Sequence, residues 1–86
     1  MIRLRDTGLD WRIVEDQVIV LDSTASEYLG VNQTGAVLWC EIATGATRES
    51  LVGLLEAEGG DPAMAGRDVD AFLASLDELG LLERSP

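Results

Sequence analysis

The spacing of apolar positions along this chain changes near residue 32. Before that point they come in short runs broken by turn residues. "WRIV" at 11–14 and "VIVLD" at 18–22 read as strands joined by the turn "EDQ" at 15–17. "EYLGV" at 27–31, with alternating character, reads as a third strand after the small polar turn "STAS". Turns this short predict an antiparallel meander. Residues 1–10 are polar and mixed and include Gly8, which predicts a frayed arm with at most a short strand.

After residue 32 the period becomes helical. Asn32 is a good N-cap for a helix over 33–44, in which Ala36, Val37, Leu38, Trp39, Cys40, Ile42 and Ala43 nearly encircle the axis. Such a helix is expected to be buried on most sides, with Gly45 as its stop. Thr47 can cap a second helix over 48–58, apolar at Leu51, Val52, Leu54 and Leu55. Asp61-Pro62 restarts the chain as a capping acid followed by proline at the first helical position. The third helix then runs to about Leu79, with its stripe at Val69, Phe72, Leu73, Leu76 and Leu79. Gly80 ends it, and "LLERSP" is expected to be a short tail. Three strands followed by three helices predict an α+β domain. Such a set can form a winged helix-turn-helix.

With 86 residues and no internal repeat or linker, one domain over 1–86 is expected, its core at about 10–82. A chain of this size buries only about 60–65% of its unfolded surface, and an apolar content of 47% suffices for a compact fold. Aromatic residues are few (Trp11, Tyr28, Trp39 and Phe72), so the core must be mostly aliphatic, with the two tryptophans as plugs.

Charge narrows the function. There are 16 acids against 6 bases, every base is Arg, and the formal net charge is −10. Nucleic acid and anionic membrane surfaces are both disfavoured partners, because each requires a basic face. The third helix, where a winged-helix regulator would read DNA, sets Arg67 against Asp61, Asp68, Asp70, Asp77 and Glu78. No targeting or membrane-spanning run is visible, and a reducing cytoplasm is the default location.

Catalytic chemistry finds no footing. There is no His for general base work and no Lys for a Schiff base or phosphate clamp. Neither a phosphate-binding loop nor a dinucleotide fingerprint occurs. One Cys and no His exclude both an intrachain disulfide and a zinc site, so no metal and no cofactor are expected. Cys40, inside the most apolar helix, reads as a packing residue. Pairs such as Glu15-Asp16 and Asp77-Glu78 read as ordinary solvated acids. Asp68, Asp70 and Asp77 read first as a solvated helix face, and second as acids flanking a groove that selects a basic peptide residue.

The third strand is more informative. In a three-stranded meander it is an edge, and "SEYLGV" has neither Lys nor Pro to block it. Gly30 leaves a spot where another backbone can come close. A short edge can be harmless. It can also accept a peptide as an added strand, with a neighbouring helix groove supplying specificity. Phe72 and Leu76 suit either the core or the floor of such a groove.

"VIVLDSTASEYLGVNQTGAVLW", "GATRESLVGLL" and "DPAMAGRDVDAFLASLDELGLL" together resemble the small protein D family of pyrroloquinoline-quinone biosynthesis. This is the family of recognition elements that bind the leaders of ribosomally made precursor peptides. The resemblance spans roughly residues 10–82 and rests on the order and spacing of its motifs. The "YLGVNQTG" wording is closer to the stand-alone leader-binding proteins of lasso-peptide clusters. The resemblance implies a winged helix-turn-helix in which the leader lies along the third strand and fills the groove beside the third helix. Carried over by position, it implicates Glu27, Tyr28, Leu29, Gly30 and Val31 on the strand. On the helix it implicates the region of Val69, Phe72, Leu73 and Leu76, and leaves open which of these face the peptide and which the core.

The reading that follows is a non-catalytic adaptor. It would bind a precursor's leader peptide and deliver it to a separate leader peptidase, cyclase or radical enzyme, most simply in lasso-peptide biosynthesis. A peptide chaperone of pyrroloquinoline-quinone biosynthesis, a winged-helix DNA-binding regulator and a structural subunit of a complex are the alternatives. The regulator is directly testable: in a mobility-shift assay at about 150 mM salt, where counterion release already weakens phosphate contacts, mixed-sequence duplex DNA is expected to stay unshifted at micromolar protein.

Overall fold

The computed structural model describes residues 1–85. In chain order the elements are β1 (Ile2–Leu4), β2 (Leu9–Val14), β3 (Gln17–Asp22), β4 (Glu27–Val31), α1 (Gln33–Ala43), α2 (Arg48–Ala57), α3 (Pro62–Glu78) and β5 (Leu82–Arg84). The architecture is the expected α+β arrangement. β2, β3 and β4 form an antiparallel meander in that order, followed by three helices.

The register of the meander places alternate side chains on one core-facing surface. Trp11 lies opposite Val20, Val18 opposite Val31, and Val20 opposite Leu29. Val18, Val20 and Val31 are buried there, while Ile19, Leu21 and Tyr28 share the outer surface. α1 brings Leu38, Trp39 and Ile42 into the core, where Trp39 and Ile42 are 0% exposed. Trp11 meets Trp39 edge to face, with ring centroids 6.1 Å apart and planes at 77°, a geometry in which a ring edge meets a π-face. Leu51 and Leu55 of α2 and Val69, Leu73 and Leu76 of α3 complete this core.

Each helix starts where its cap predicts. Asn32 Oδ1 accepts from the Gly35 N–H at 2.9 Å. Thr47 and Ser50 cap α2 reciprocally, each side chain accepting from the other's backbone N–H at 3.0 Å. Asp61 accepts from the Ala63 N–H, with Pro62 at the first helical position. Gly45 (φ 96°) and Gly80 (φ 71°) turn the chain out of α1 and α3 in the left-handed region, where a Cβ is disfavoured.

Several expectations need correction. The first residues do not form a frayed arm, nor do the last form a loose tail: β1 and β5 pair antiparallel, with Arg3 opposite Glu83. Ile2 is buried and exchanges backbone hydrogen bonds with Ala46 at 2.6 and 2.9 Å. Pairings this distant in sequence leave no local signal. α1 is not covered all round, since Val37 and Cys40 are half-exposed and Ala43 is exposed. Cys40 is therefore not a fully buried packing residue, and Trp11, at 37% exposure, is not a buried plug although it packs against Trp39.

A polar clasp ties the ends of these elements together. The Arg5 guanidinium donates to Asp22 at 2.7 Å and to the Gly80 carbonyl at 3.0 Å. Asp22, buried at the end of β3, also accepts from the backbone N–H groups of Thr24 and Ala25. The Arg5 hydrogen bond holds the Asp22 carboxyl below the ordinary carboxylate range, against the opposing effect of its burial. A depressed folded pKa contributes stability above the unfolded value, and that stability is lost as pH falls through the folded value. Asp22→Asn is thus expected to lower the unfolding midpoint near pH 7. Its deficit against the parent should shrink as thermal melts are carried down towards about pH 2. A deficit constant across that range would mean that the charge of Asp22 is immaterial.

Candidate functional site

β4 pairs with β3 on one side only, so its other edge has no strand partner among the described residues. Alternate residues of such an edge present backbone N–H and C=O groups outward. Beside this edge runs α3, and between the two lies an open groove of about 190 Å³. Its strand wall is Leu29, Gly30 and Val31, and its helix wall is Phe72, Ser75, Leu76 and Leu79. A smaller hollow of about 60 Å³ continues past Leu29 and Leu79 towards Glu27, Tyr28 and Leu81. The surface is thus an unpaired backbone edge over an apolar trough.

The residues implicated by sequence take distinct places here. Glu27, Tyr28, Leu29, Gly30 and Val31 are the strand β4 itself. Leu29 and Val31 turn inward, whereas Tyr28 stands on the outer surface at 78% exposure. On α3, Phe72 is half-buried in the groove and Leu76 closes its floor from the core. Val69 and Leu73 are buried in the core and do not line the groove. Three lining residues lie outside the set that the sequence implicates for the site: Asn32, Ser75, and Leu79 at 43% exposure. Leu79 continues the stripe of α3 and was readable only as core. Its position at the C-cap lifts it out of the packed face.

The acids of α3 do not flank this groove. Asp70 is held by Arg48 of α2 at 2.8 Å, which keeps its carboxyl below the usual range. Asp77 is paired with Arg84 of β5. Both pairs are largely exposed and contribute little to stability. Among the described residues no cluster of His, Cys, Asp or Glu is arranged to hold a metal ion, and no helix is long and apolar enough to cross a membrane.

The groove owes its shape to Gly35. A Cβ there would stand 2.6 Å from Val31 Cγ1 and 3.0 Å from Phe72 Cε1. Only a hydrogen at this position lets the last strand residue and the α3 aromatic meet against the first turn of α1. By contrast, a Cβ at Gly30 would meet nothing within 4 Å.

Comparison with known families gives a match to coenzyme PQQ synthesis protein D (PqqD) over residues 17–82, well over half of the chain. The chain belongs to the PqqD family. Among solved structures, "TbiB1 in Complex with the TbiA(beta) Leader Peptide" is similar to it at 26% identity and a TM-score of 0.87, covering 98% of each chain. "Lasso peptide synthetase B1 complexed with the leader peptide" is similar at 25% identity and a TM-score of 0.83, covering 96% of this chain and 98% of the other. A search of curated proteins finds no match. The fold is therefore shared with these two structures over almost the whole chain, while the family match itself covers residues 17–82.

The two glycines should respond oppositely to alanine. Gly35→Ala over-packs Val31 and Phe72 and is expected to destabilise by about 1–3 kcal/mol, despite alanine's helix preference of about 1 kcal/mol. Gly30→Ala should stay within about 0.5 kcal/mol of the parent. Urea titrations of both variants measure the difference.

Proposed function

We propose that this PqqD-family protein is a non-catalytic adaptor. It binds the leader of a ribosomally synthesised precursor peptide and presents the precursor to a separate modifying enzyme in lasso-peptide biosynthesis. The observation that carries this reading is the free β4 edge beside an apolar groove, in a fold shared with two proteins whose structures hold leader peptides. The leader adds as a strand along Glu27–Val31, its backbone bonds supplying affinity. One or two apolar side chains of the leader enter the trough against Phe72, Leu76 and Leu79. Val69 and Leu73 support that wall from the core. The adaptor contributes position: holding the leader raises the effective concentration of the core peptide at the enzyme. Without His or Lys the chain brings no evident acid–base or covalent catalyst of its own.

A second reading, a peptide chaperone of pyrroloquinoline-quinone biosynthesis, is favoured by the description of the matched family. It uses the same edge and groove. The two readings differ in the precursor that binds and in the enzyme that is stimulated.

Titrating labelled leader and core peptides separately distinguishes an adaptor from other roles. The leader alone is expected to bind with micromolar to nanomolar affinity, about −8 to −12 kcal/mol. Binding of only the core peptide would sink the reading. Hydrogen exchange should show new protection at 27–31 and around 69–79, with α2 unchanged. Phe72→Ala is expected to weaken leader binding by about 1–3 kcal/mol, in a variant shown by circular dichroism to be folded. Precursor incubated with the isolated protein should keep its mass.

A further inference from the structure

A concavity larger than the groove at β4 is an open trough of about 670 Å³ on the outward side of α1, bounded by the β2–β3 turn and by α2. Its floor is apolar, formed by Val37 and Cys40 of α1, Ile13 of β2 and Leu54 of α2. Ile13 is 59% exposed, and Val37, Cys40 and Leu54 are half-exposed. Apolar positions left open on three neighbouring elements make one continuous surface, not scattered exposure.

The rim has a single sign of charge. Glu15 and Asp16 stand at the turn, Glu41 on α1 and Glu58 at the end of α2, and no Arg lines the trough. Among the described residues none of these four acids takes part in an ion pair. Four unpaired carboxylates around an apolar floor attract cationic side chains and repel a second copy of a chain whose net charge is −10.

The trough is also separate from the β4 groove. β2 and β4 are opposite edges of the sheet. On α1 the floor residues Val37 and Cys40 lie on the side of the helix away from Gly35, the residue that meets Phe72. Both surfaces can be filled at once.

We propose that this trough docks a basic amphipathic helix of a partner protein. The partner's apolar side chains would lie on Ile13, Val37, Cys40 and Leu54, and its Arg or Lys side chains would face the four rim acids. A helix lying across α1 between the turn and α2 is the helix-in-groove mode of recognition. Resting on the adaptor reading, this is the surface by which the loaded adaptor meets its modifying enzyme, leaving the leader undisturbed at β4.

Cys40, the sole cysteine of the chain, makes the site observable without mutation. The probe is a synthetic helical peptide of Leu, Ala and Arg about four turns long, with leucines along one face. A counterpart replaces each Arg with Glu. Alkylation of Cys40 by iodoacetamide, followed by mass spectrometry on the full-length chain, is expected to slow at least about tenfold when the Arg peptide saturates. The Glu peptide should leave the rate unchanged. Ile13→Arg, at an exposed position, should weaken the Arg peptide at least about tenfold. Labelled leader should bind equally well to parent and variant, with and without the Arg peptide. Unchanged alkylation, equal protection by the Glu peptide, or an Ile13→Arg variant that still binds would overturn the proposal. So would protection of Cys40 by the leader itself, or sedimentation showing the free protein to be a dimer that already shields Cys40. A protein that fails to bind leader while the Arg peptide still protects Cys40 would sink the adaptor reading and leave the docking surface standing.

Discussion

Close approach at one glycine organises this molecule. The meander can lie on α1 only if the strand enters the helix almost without a loop. The single residue between them, Asn32, spends its side chain on the Gly35 N–H. Its own carbonyl accepts from Ala36 at 2.7 Å. That turn brings Val31 down onto Gly35, and Phe72 of α3 comes against the same point from the other side. A methyl group at Gly35 would push both away. The sheet, the first helix and the third helix are thus brought together at an atom that is absent. The trough beside β4 is the space left over where they diverge.

How much of this was legible depends on the range of the interaction that carries it. Asn32, Thr47 and Asp61 act within a few residues, and their caps were readable as such. The three strands of the meander follow from alternation and short turns, both local. β1 and β5 could not be read, because neither "IRL" nor "LER" has a pattern of its own. Each is a strand only because the other lies beside it. α1 shows a subtler failure. A run of apolar residues predicted burial all round, yet α2 and the β2–β3 turn do not close over Val37 and Cys40. Apolar content says what a residue would prefer, not whether enough neighbouring chain exists to cover it. At the candidate site, the strand residues were marked by their place at an edge. The helix residues were marked only by a stripe that core and groove share, and burial alone separates Val69 and Leu73 from Phe72 and Leu79.

The charge of the chain shapes what its surfaces can meet. A fold of this arrangement can serve nucleic acid when its third helix is basic. Here that helix is acidic, and two of its acids are tied to arginines of α2 and β5. Recognition at β4 rests mainly on backbone and apolar contact, with Glu27 the one acid of that strand. Four other acids that make no ion pair among the described residues, Glu15, Asp16, Glu41 and Glu58, line the trough on the far side of α1. The molecule therefore has a mostly apolar surface and an acid-rimmed one, set on opposite sides of α1.

The clasp of Arg5 with Asp22 and the Gly80 carbonyl has a consequence for how the chain is made. A ribosome releases residues in order, so the meander and α1 emerge while residue 80 is still unsynthesised. Until then β1 has no β5 to pair with, and Arg5 lacks one of its two main partners. The strands, the first helix and its caps can assemble early, from contacts close in sequence. The joining of residue 2 to residue 84 can come only after β5 has been made. A later segment thus closes the structure around an earlier one. A nascent chain stalled before β5 would leave Ile2 and Leu81 without their shared shelter, and such a truncated intermediate is where chaperones and proteases would find their substrate.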